Sequence, residues 1–343
     1  PHFLPQDGHF VVVFTNQKAT ITPHGTIQFT REIAIKIPEK EFEKYAPHFI
    51  RAEGKRMVPL FQQIRIVPKF NGDFFNVEIV YETEEVHNPA LDPDRTASID
   101  LGVNNLITLV DNSMGDEDRS PLIISGKPIK SINQFYNKKR ASIQSELFLC
   151  NQRDSKELRK ITDWRNEKLS DYMHKASRLV INYCHTNRIG HLVIGQNKGW
   201  KQEINIGKRN NQNFVGIPFD RLIQQLQYKA QLVGIRVTLC EESYTSKCSA
   251  LDLEEIGKHE DHAYAGKRVF RGLFATAKGI VINADVNGAL NIMRKVIGDT
   301  FLTPFIQKVA RLRAGGERHL DCRYPRTPLP SSGYLCYPVK VCC

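Results

Sequence analysis

Asp100 interrupts the apolar run Ile99-Asp100-Leu101, and Asp285 stands near the start of Asn283-Ala284-Asp285-Val286. A carboxylate inside an apolar strand loses hydration at a cost unless a cation or hydrogen-bond donors meet it, and a bound metal resolves that conflict. Asp285 is followed by Gly288 and Ala289, small residues that let a helix approach a sheet and carry its acid toward Asp100. The plainer reading of Asp285 is an acid favoured by the helix dipole. Two Mg²⁺ ions about 4 Å apart require several oxygen ligands, so this chemistry calls for a third carboxylate. The strand end at Ile194-Gly195-Gln196-Asn197 offers none, whereas the next strand ends in Glu241 and Glu242. Neighbouring strand residues face opposite ways, so one of the two turns to the site and the other to solvent; alternation does not choose between them.

These acids need a sheet and a covering helix. From Phe10 to Glu85, short alternating runs such as TIQFTREIAIKI and FFNVEIVYETE, with Asn71-Gly72 as a hairpin signal, predict a small antiparallel sheet or barrel, interrupted by a helical stretch from Glu39 to Met57. His87 to Arg95, with Pro89 and Pro93, reads as a linker. Strands follow at 97–102, 104–112 and 121–126. Two helices lie between Ile132 and about Arg188, then a buried strand at 190–197, an amphipathic helix at 217–234, a strand at 235–243 and a helix at 283–298. This succession is the element order of an RNase H-like α/β fold. The segment from Arg311 to Cys343, rich in Pro, Arg and Cys and without periodicity, reads as disordered.

Lys and Arg outnumber Asp and Glu by 48 to 37, a net charge of +11 that suits a polyanionic partner, although a basic solvated surface alone has the same composition. No apolar run reaches the roughly 20 residues of a membrane span, and Pro1 to Gln17 lacks a signal-peptide pattern, so a soluble cytoplasmic protein associated with the nucleoid is expected. Cys150, Cys184, Cys240 and Cys248 are single and scattered, as in reduced proteins. The chain opens on Pro1 and not on an initiator methionine, which leaves open whether N-terminal elements precede it.

The segments IDLGVNNLITLV at 99–110, HLVIGQNKGWKQ at 191–202, EESYTSKCS at 241–249 and NADVNGALNI at 283–292, in that order, resemble the TnpB (OrfB) family of insertion-sequence proteins. The resemblance implies an RNA-guided DNA endonuclease related to the type V CRISPR effectors, with a barrel-like domain ahead of a RuvC-like nuclease. It makes Asp100 and Asp285 the first and last catalytic aspartates. It assigns the middle acid to Glu242, through the pattern Glu242-Ser243-Tyr244-Thr245-Ser246, with Glu241 in reserve. Family members commonly carry a zinc ribbon of two Cys-x-x-Cys pairs between the second and third catalytic motifs. Here only Cys248 is retained, so no four-ligand structural zinc is expected and His259 and His262 are read as surface residues.

The expected organisation is a nucleic-acid-binding barrel-like domain at 1–90, a nuclease domain at 96–244 and 281–300, a degenerate ribbon-like insertion at 245–280 that binds the target strand, and a disordered tail at 311–343. Lys198, Trp200, Lys201, Lys208, Arg209, Lys267, Arg268 and Arg271 are the candidate nucleic-acid contacts, the lysines and arginines on phosphates and Trp200 by stacking. The basic residues of the long helices, interleaved with Glu146, Asp154, Glu157 and Glu167, read as a salt-bridged solvent face. Expected cofactors are Mg²⁺ or Mn²⁺, held by Asp100, Glu242 and Asp285, one ion activating water and the other stabilising the leaving oxygen. Expected partners are a DNA target and a guide RNA, with a dimer left open. Two other functions fit the same residues: a catalytically inactive RNA-guided DNA-binding protein, motivated by the missing acid at 195–196, and a transposase acting directly in strand transfer.

Overall fold

A computed structural model describes residues 8–53, 56–69, 72, 74–82, 86–115, 120–196, 216–259, 263–270 and 272–314. The chain divides into two compact units between Glu85 and Val86.

In the first unit the strands are β1 (Val12–Thr15), β2 (Thr20–Ile21), β3 (Thr26–Gln28), β4 (Ala34–Lys36), β5 (Ile50–Glu53), β6 (Arg56–Pro59), β7 (Phe61–Lys69) and β8 (Phe74–Tyr81). They form antiparallel sheets in the orders β1-β7-β8, β2-β3-β4 and β5-β6, around a core that includes Ile27, Phe49, Phe61, Ile64, Ile79 and Tyr81. Helix α1 (Glu39–Phe49) is shorter than the 39–57 stretch expected. Pro47 in its last turn lacks the amide that would bond the preceding turn, and Ile50 adopts an extended backbone and pairs with Pro59. β-Branched residues on both strands, Ile50 and Val58, favour the ladder over a further helical turn.

The second unit is mixed α/β. Its main sheet has the order β11-β10-β9-β12-β13, where β9 is Asp92–Leu101, β10 Asn105–Asp111, β11 Leu122–Ser125, β12 Ile189–Gly195 and β13 Arg236–Cys240. β9, β10 and β11 are antiparallel neighbours, whereas β12 and β13 run parallel to β9. β9 begins inside the expected linker, at Asp92, so Pro93 is a strand residue. It is accommodated because the β9–β12 register shifts there and β10 pairs β9 only from Ala97 onward, leaving one side of the strand start without a ladder to break.

Helices α2 (Lys127–Leu149) and α3 (Lys156–Thr186) form the expected pair, with Ser155 accepting a capping hydrogen bond from the amide of Leu158. Helix α4 spans Phe219–Gln231. A second sheet of β14 (Lys267–Phe270), β15 (Leu273–Ala275) and β16 (Val281–Asn283) leads directly into helix α5 (Ala284–Ile297). β16 lies just past residue 280, where the insertion was expected to end, and joins β14 and β15 in one sheet. Helix α6 runs from Leu302 to Ala314, so Arg311–Ala314 are helical where a disordered tail was expected to begin. Leu302 and Val309 pack into the apolar core beside α5, and that burial stabilises a helix the composition of the adjoining tail obscures.

Alternation along β9 divides the sheet's two faces. Ile99 and Leu101 join the core made by α3 and α4, with Met173, Val180, Leu222 and Leu226. Ser98 and Asp100 therefore face the other way, where Ser98 donates a 2.6 Å hydrogen bond to the carbonyl of Ala289 in α5. Among the described residues no helix is long and apolar enough to cross a membrane.

Candidate active site

Asp100 is placed by that alternation against the small-residue stripe of α5. A Cβ built on Gly288 would lie 2.6 Å from Oδ2 of Asp100, so only glycine lets the helix descend this far. Protein surrounds the carboxyl closely, although part of the residue stays accessible. Burial, followed by the charge of Asp285, pushes its pKa up to about 8, and Arg268 opposes the rise.

Asp285 sits in the first turn of α5. Asn283 caps that helix, its Oδ1 accepting from the amides of Asp285 and Val286 at 2.9 and 3.2 Å. Nδ2 of Asn105 donates to Oδ2 of Asp285 at 2.7 Å. The guanidinium of Arg268, on β14, approaches Oδ1 at 3.9 Å.

β13 ends at Cys240, so Glu241 and Glu242 belong to the following turn and not to the strand expected through 243. That turn, instead of strand alternation, separates them. Glu241 is exposed, with its carboxylate taking the amide of Ser243 at 3.0 Å, the Ser243 hydroxyl, and Nζ of Lys295 at 3.3 Å. The Ser243 hydroxyl above all holds Glu241 below the usual carboxylate range. Glu242 points inward over Gly195 and Ile292: a Cβ at position 195 would lie 2.8 Å from Cδ of Glu242. Burial, then the charges of Asp100 and Glu241, raise Glu242 to about 9, with Lys295 opposing.

Helix α5 also fixes the loop that follows Glu242, through two asparagines one turn apart. Asn291 donates to the carbonyls of Thr245 and Cys248 at 2.9 and 2.7 Å. Asn287 donates to Cys248 at 2.8 Å and accepts from the amide of Ala250 at 2.9 Å. Both are fully buried, and Lys295 adds bonds to the carbonyls of Glu241 and Ser243. Asn105, Asn287, Asn291 and Lys295 were not singled out from the sequence. The signal for Asn287 and Asn291 is polar residues at i and i+4 on an otherwise apolar helix.

Asp100 thus interacts with both Asp285 and Glu242. Among the described residues no three His, Cys, Asp or Glu side chains stand close enough together, as they are placed, to hold a metal ion. The fit to a divalent cation lies in the donor chemistry. Carboxyls driven toward protonation by burial and by one another create a demand for positive charge, and hard oxygens suit Mg²⁺ or Mn²⁺.

The segment between β13 and β16 is organised around carboxylates. Glu254 accepts from the amides of Ser249 and Ala265 at 2.6 and 2.8 Å, tying together the two ends of the stretch between them. Asp252 accepts from the Ser249 hydroxyl and the Ala277 amide, both at 2.7 Å. Cys248 is buried, and His259 bonds the carbonyl of Glu255 at 2.9 Å; His262 lies outside the described residues. Of the candidate nucleic-acid contacts, Arg268 reaches the acid cluster and Lys267 is exposed on the same strand. Lys198, Trp200, Lys201, Lys208, Arg209 and Arg271 lie outside the described residues. In the long helices Lys139 pairs with Glu157 at 3.1 Å and Arg159 with Asp154 at 2.7 Å, in keeping with a salt-bridged face.

Residues 78–201 match the family model OrfB_IS605, described as a probable transposase, and residues 219–292 match the Cas12f1-like TNB domain. A TnpB-like protein, ORF457 of Acidianus two-tailed virus, is 28% identical over 218 residues, covering 60% of this chain and 42% of the relative. The CRISPR-associated endodeoxyribonuclease Cas12f2 of a Micrarchaeota archaeon is 26% identical over 209 residues, covering 59% of this chain and 37% of that protein. The match therefore spans about four-tenths of either relative. Similar solved structures include a Cas12f1–sgRNA–target DNA complex, with TM-score 0.43, 14% identity, and coverage of 84% of this chain and 68% of that one. A CRISPR-Cas12f ternary complex has TM-score 0.42, 15% identity, and coverage of 80% and 50%. The two family models matched in succession, together with the TnpB-like and Cas12f2 relatives, make the chain similar to TnpB-like proteins and to the type V effectors related to them.

Proposed function

We propose that this chain is a divalent-metal-dependent DNA endonuclease with an RNase H-like (RuvC) core, directed to its target by a guide RNA. The observation that carries the proposal is the inward turn of Glu242 over Gly195, with its charge coupled to Asp100, which is in turn coupled to Asp285. The sheet order, an antiparallel triplet followed by two parallel strands, supports the RNase H-like reading. The names of the relatives support cleavage of DNA, and the names of the similar complexes support an RNA guide and a DNA target as partners.

Asp100, Glu242 and Asp285 would hold the cation, Mg²⁺ or Mn²⁺. When bound, such ions polarise the scissile phosphodiester and activate water for its hydrolysis. The protein's own work is to gather the three acids. β9 and α5 fix Asp100 and Asp285 on rigid elements, and the α5 asparagines fix the turn that bears Glu242. Arg268 supplies a cationic side chain beside the acids where a substrate phosphate would lie. The first unit, the 245–280 insertion and the candidate contacts Lys267 and Arg268 are read as nucleic-acid-binding parts.

Purified protein with its co-purifying RNA provides the test. Asp100→Ala should abolish Mg²⁺-dependent cleavage and leave nucleic-acid affinity nearly intact; unchanged cutting would remove this site from consideration. A wild-type chain that binds guide and target but never cuts, with any divalent ion, identifies the inactive RNA-guided binder. Joined strand-transfer products identify a transposase.

A further inference from the structure

Asn105 is the first residue of β10, separated from Asp100 only by the turn after β9. Its backbone is held on both sides: the Gly126 amide donates to Asn104 O at 2.7 Å and the Gly102 amide to Leu106 O at 3.3 Å. The β10–β11 register shifts between Asn105 and Ile107, an irregularity that re-aims side chains near functional sites. Here the re-aimed amide crosses 180 residues of sequence to reach Oδ2 of Asp285 at 2.7 Å.

The two oxygens of Asp285 are consequently unlike. Oδ2 is held by a short bond from a neutral donor on a pinned backbone, whereas Oδ1 has, among the described residues, the distant approach, 3.9 Å, of an exposed arginine. A neutral amide orients a carboxylate without competing with a cation for its charge, which a lysine or arginine at the same place would do. Arg268, being solvated, can leave Oδ1 at small cost.

We propose that Asn105 is a positioning residue that locks the carboxylate of Asp285 in the orientation in which Oδ1 is presented to a divalent cation. This rests on the metal-site reading of the three acids, and it adds a residue from the opening turn of β10 to the machinery.

The test is Mn²⁺ binding to the full chain by calorimetry, alongside thermal unfolding and DNA affinity. Asn105→Ala should weaken Mn²⁺ binding by about 10–100-fold, as loss of an outer hydrogen bond to a metal ligand does. DNA affinity should be unchanged, and Asn105→Gln, which keeps the amide, should recover part of the loss. In an Asp285→Asn background, Asn105→Ala should have little further effect. Wild-type Mn²⁺ affinity in Asn105→Ala, with Asp100→Asn abolishing binding, would overturn the positioning role and spare the metal site. Unaltered binding in Asp100→Asn would overturn both. If the alanine variant does not fold, Asn105→Ser, too short to reach Oδ2, replaces it under the same readouts: wild-type Mn²⁺ affinity in a folded Asn105→Ser chain overturns the role.

Discussion

The carboxyl group of Glu242 occupies the space that any side chain at position 195 would need. A Cβ added to Gly195 would meet its Oε1, with Cδ 2.8 Å away and Cδ1 of Ile292 at 2.6 Å. The acid missing from the end of β12 and the acid present after β13 thus compete for one volume. Gly195→Ala should displace Glu242, destabilise the fold by about 1–3 kcal/mol and sharply reduce cleavage. Glu242→Ala should leave no cleavage, and Gly195→Glu added to it should restore a measurable fraction. A Gly195→Ala protein with wild-type stability and rate would show that the two groups do not share that space.

Metal-free stability should fall as pH rises above about 6.5. Asp100 and Glu242 are held at about 8 and about 9 in the fold, against ordinary values of 3.8 and 4.5. From about pH 4.5 to 6.5 the extra protons of these two acids are offset by His174 and His191, whose burial lowers them from 6.5 to about 4, so the net decline begins near pH 6.5 and continues through about pH 9, where the buried Cys184 thiol, held above its ordinary value, extends it. Melting curves in EDTA across this range test the sign. Asp100→Asn should flatten the decline and raise the alkaline Tm by a few degrees while abolishing cleavage.

Asn291→Ala should remove the donor to two carbonyls, those of Thr245 and Cys248, beneath a fully buried position. The expected cost is about 2–4 kcal/mol in urea unfolding. Cleavage measured at a temperature where the variant remains folded should still fall, because the turn that carries Glu242 has lost its anchor. Normal cleavage in a folded, destabilised variant would separate the anchor from the site.

Glu254→Ala should loosen the inserted segment without unfolding the main sheet. The Ser249 and Ala265 amides lose their acceptor, so their hydrogen exchange should accelerate while β9 and β12 stay protected. EDTA should produce no such acceleration in the wild-type chain. An EDTA response at those amides would mean that a metal, and not the carboxylate, ties the segment together.

Asp100 was legible because an acid in an apolar strand violates local patterning, and Gly288 with Ala289 marked where α5 would come close. The order of elements in the second unit followed from periodicity. The start of β9 did not, because Pro89 and Pro93 imitate a linker, and only the one-sided pairing at Asp92 shows why a strand tolerates Pro93. The choice between Glu241 and Glu242 depends on a turn closed by Ser243 and Lys295, which no period encodes. Asn105 was invisible for a different reason: its function lies in a bond to a residue 180 positions away. The helical residues from Arg311 to Ala314 were hidden because the Pro-, Arg- and Cys-rich tail shares their stretch of sequence and dilutes the helical pattern.

Helix α5 both seals one face of the central sheet, through Ser98 and its apolar row, and delivers Asp285. Completing the hydrophobic interior and assembling the proposed catalytic acids are therefore a single cooperative event. A species that cuts without being fully folded has no structural basis, and on heating, cleavage and the far-ultraviolet signal of the second unit should vanish at one shared midpoint.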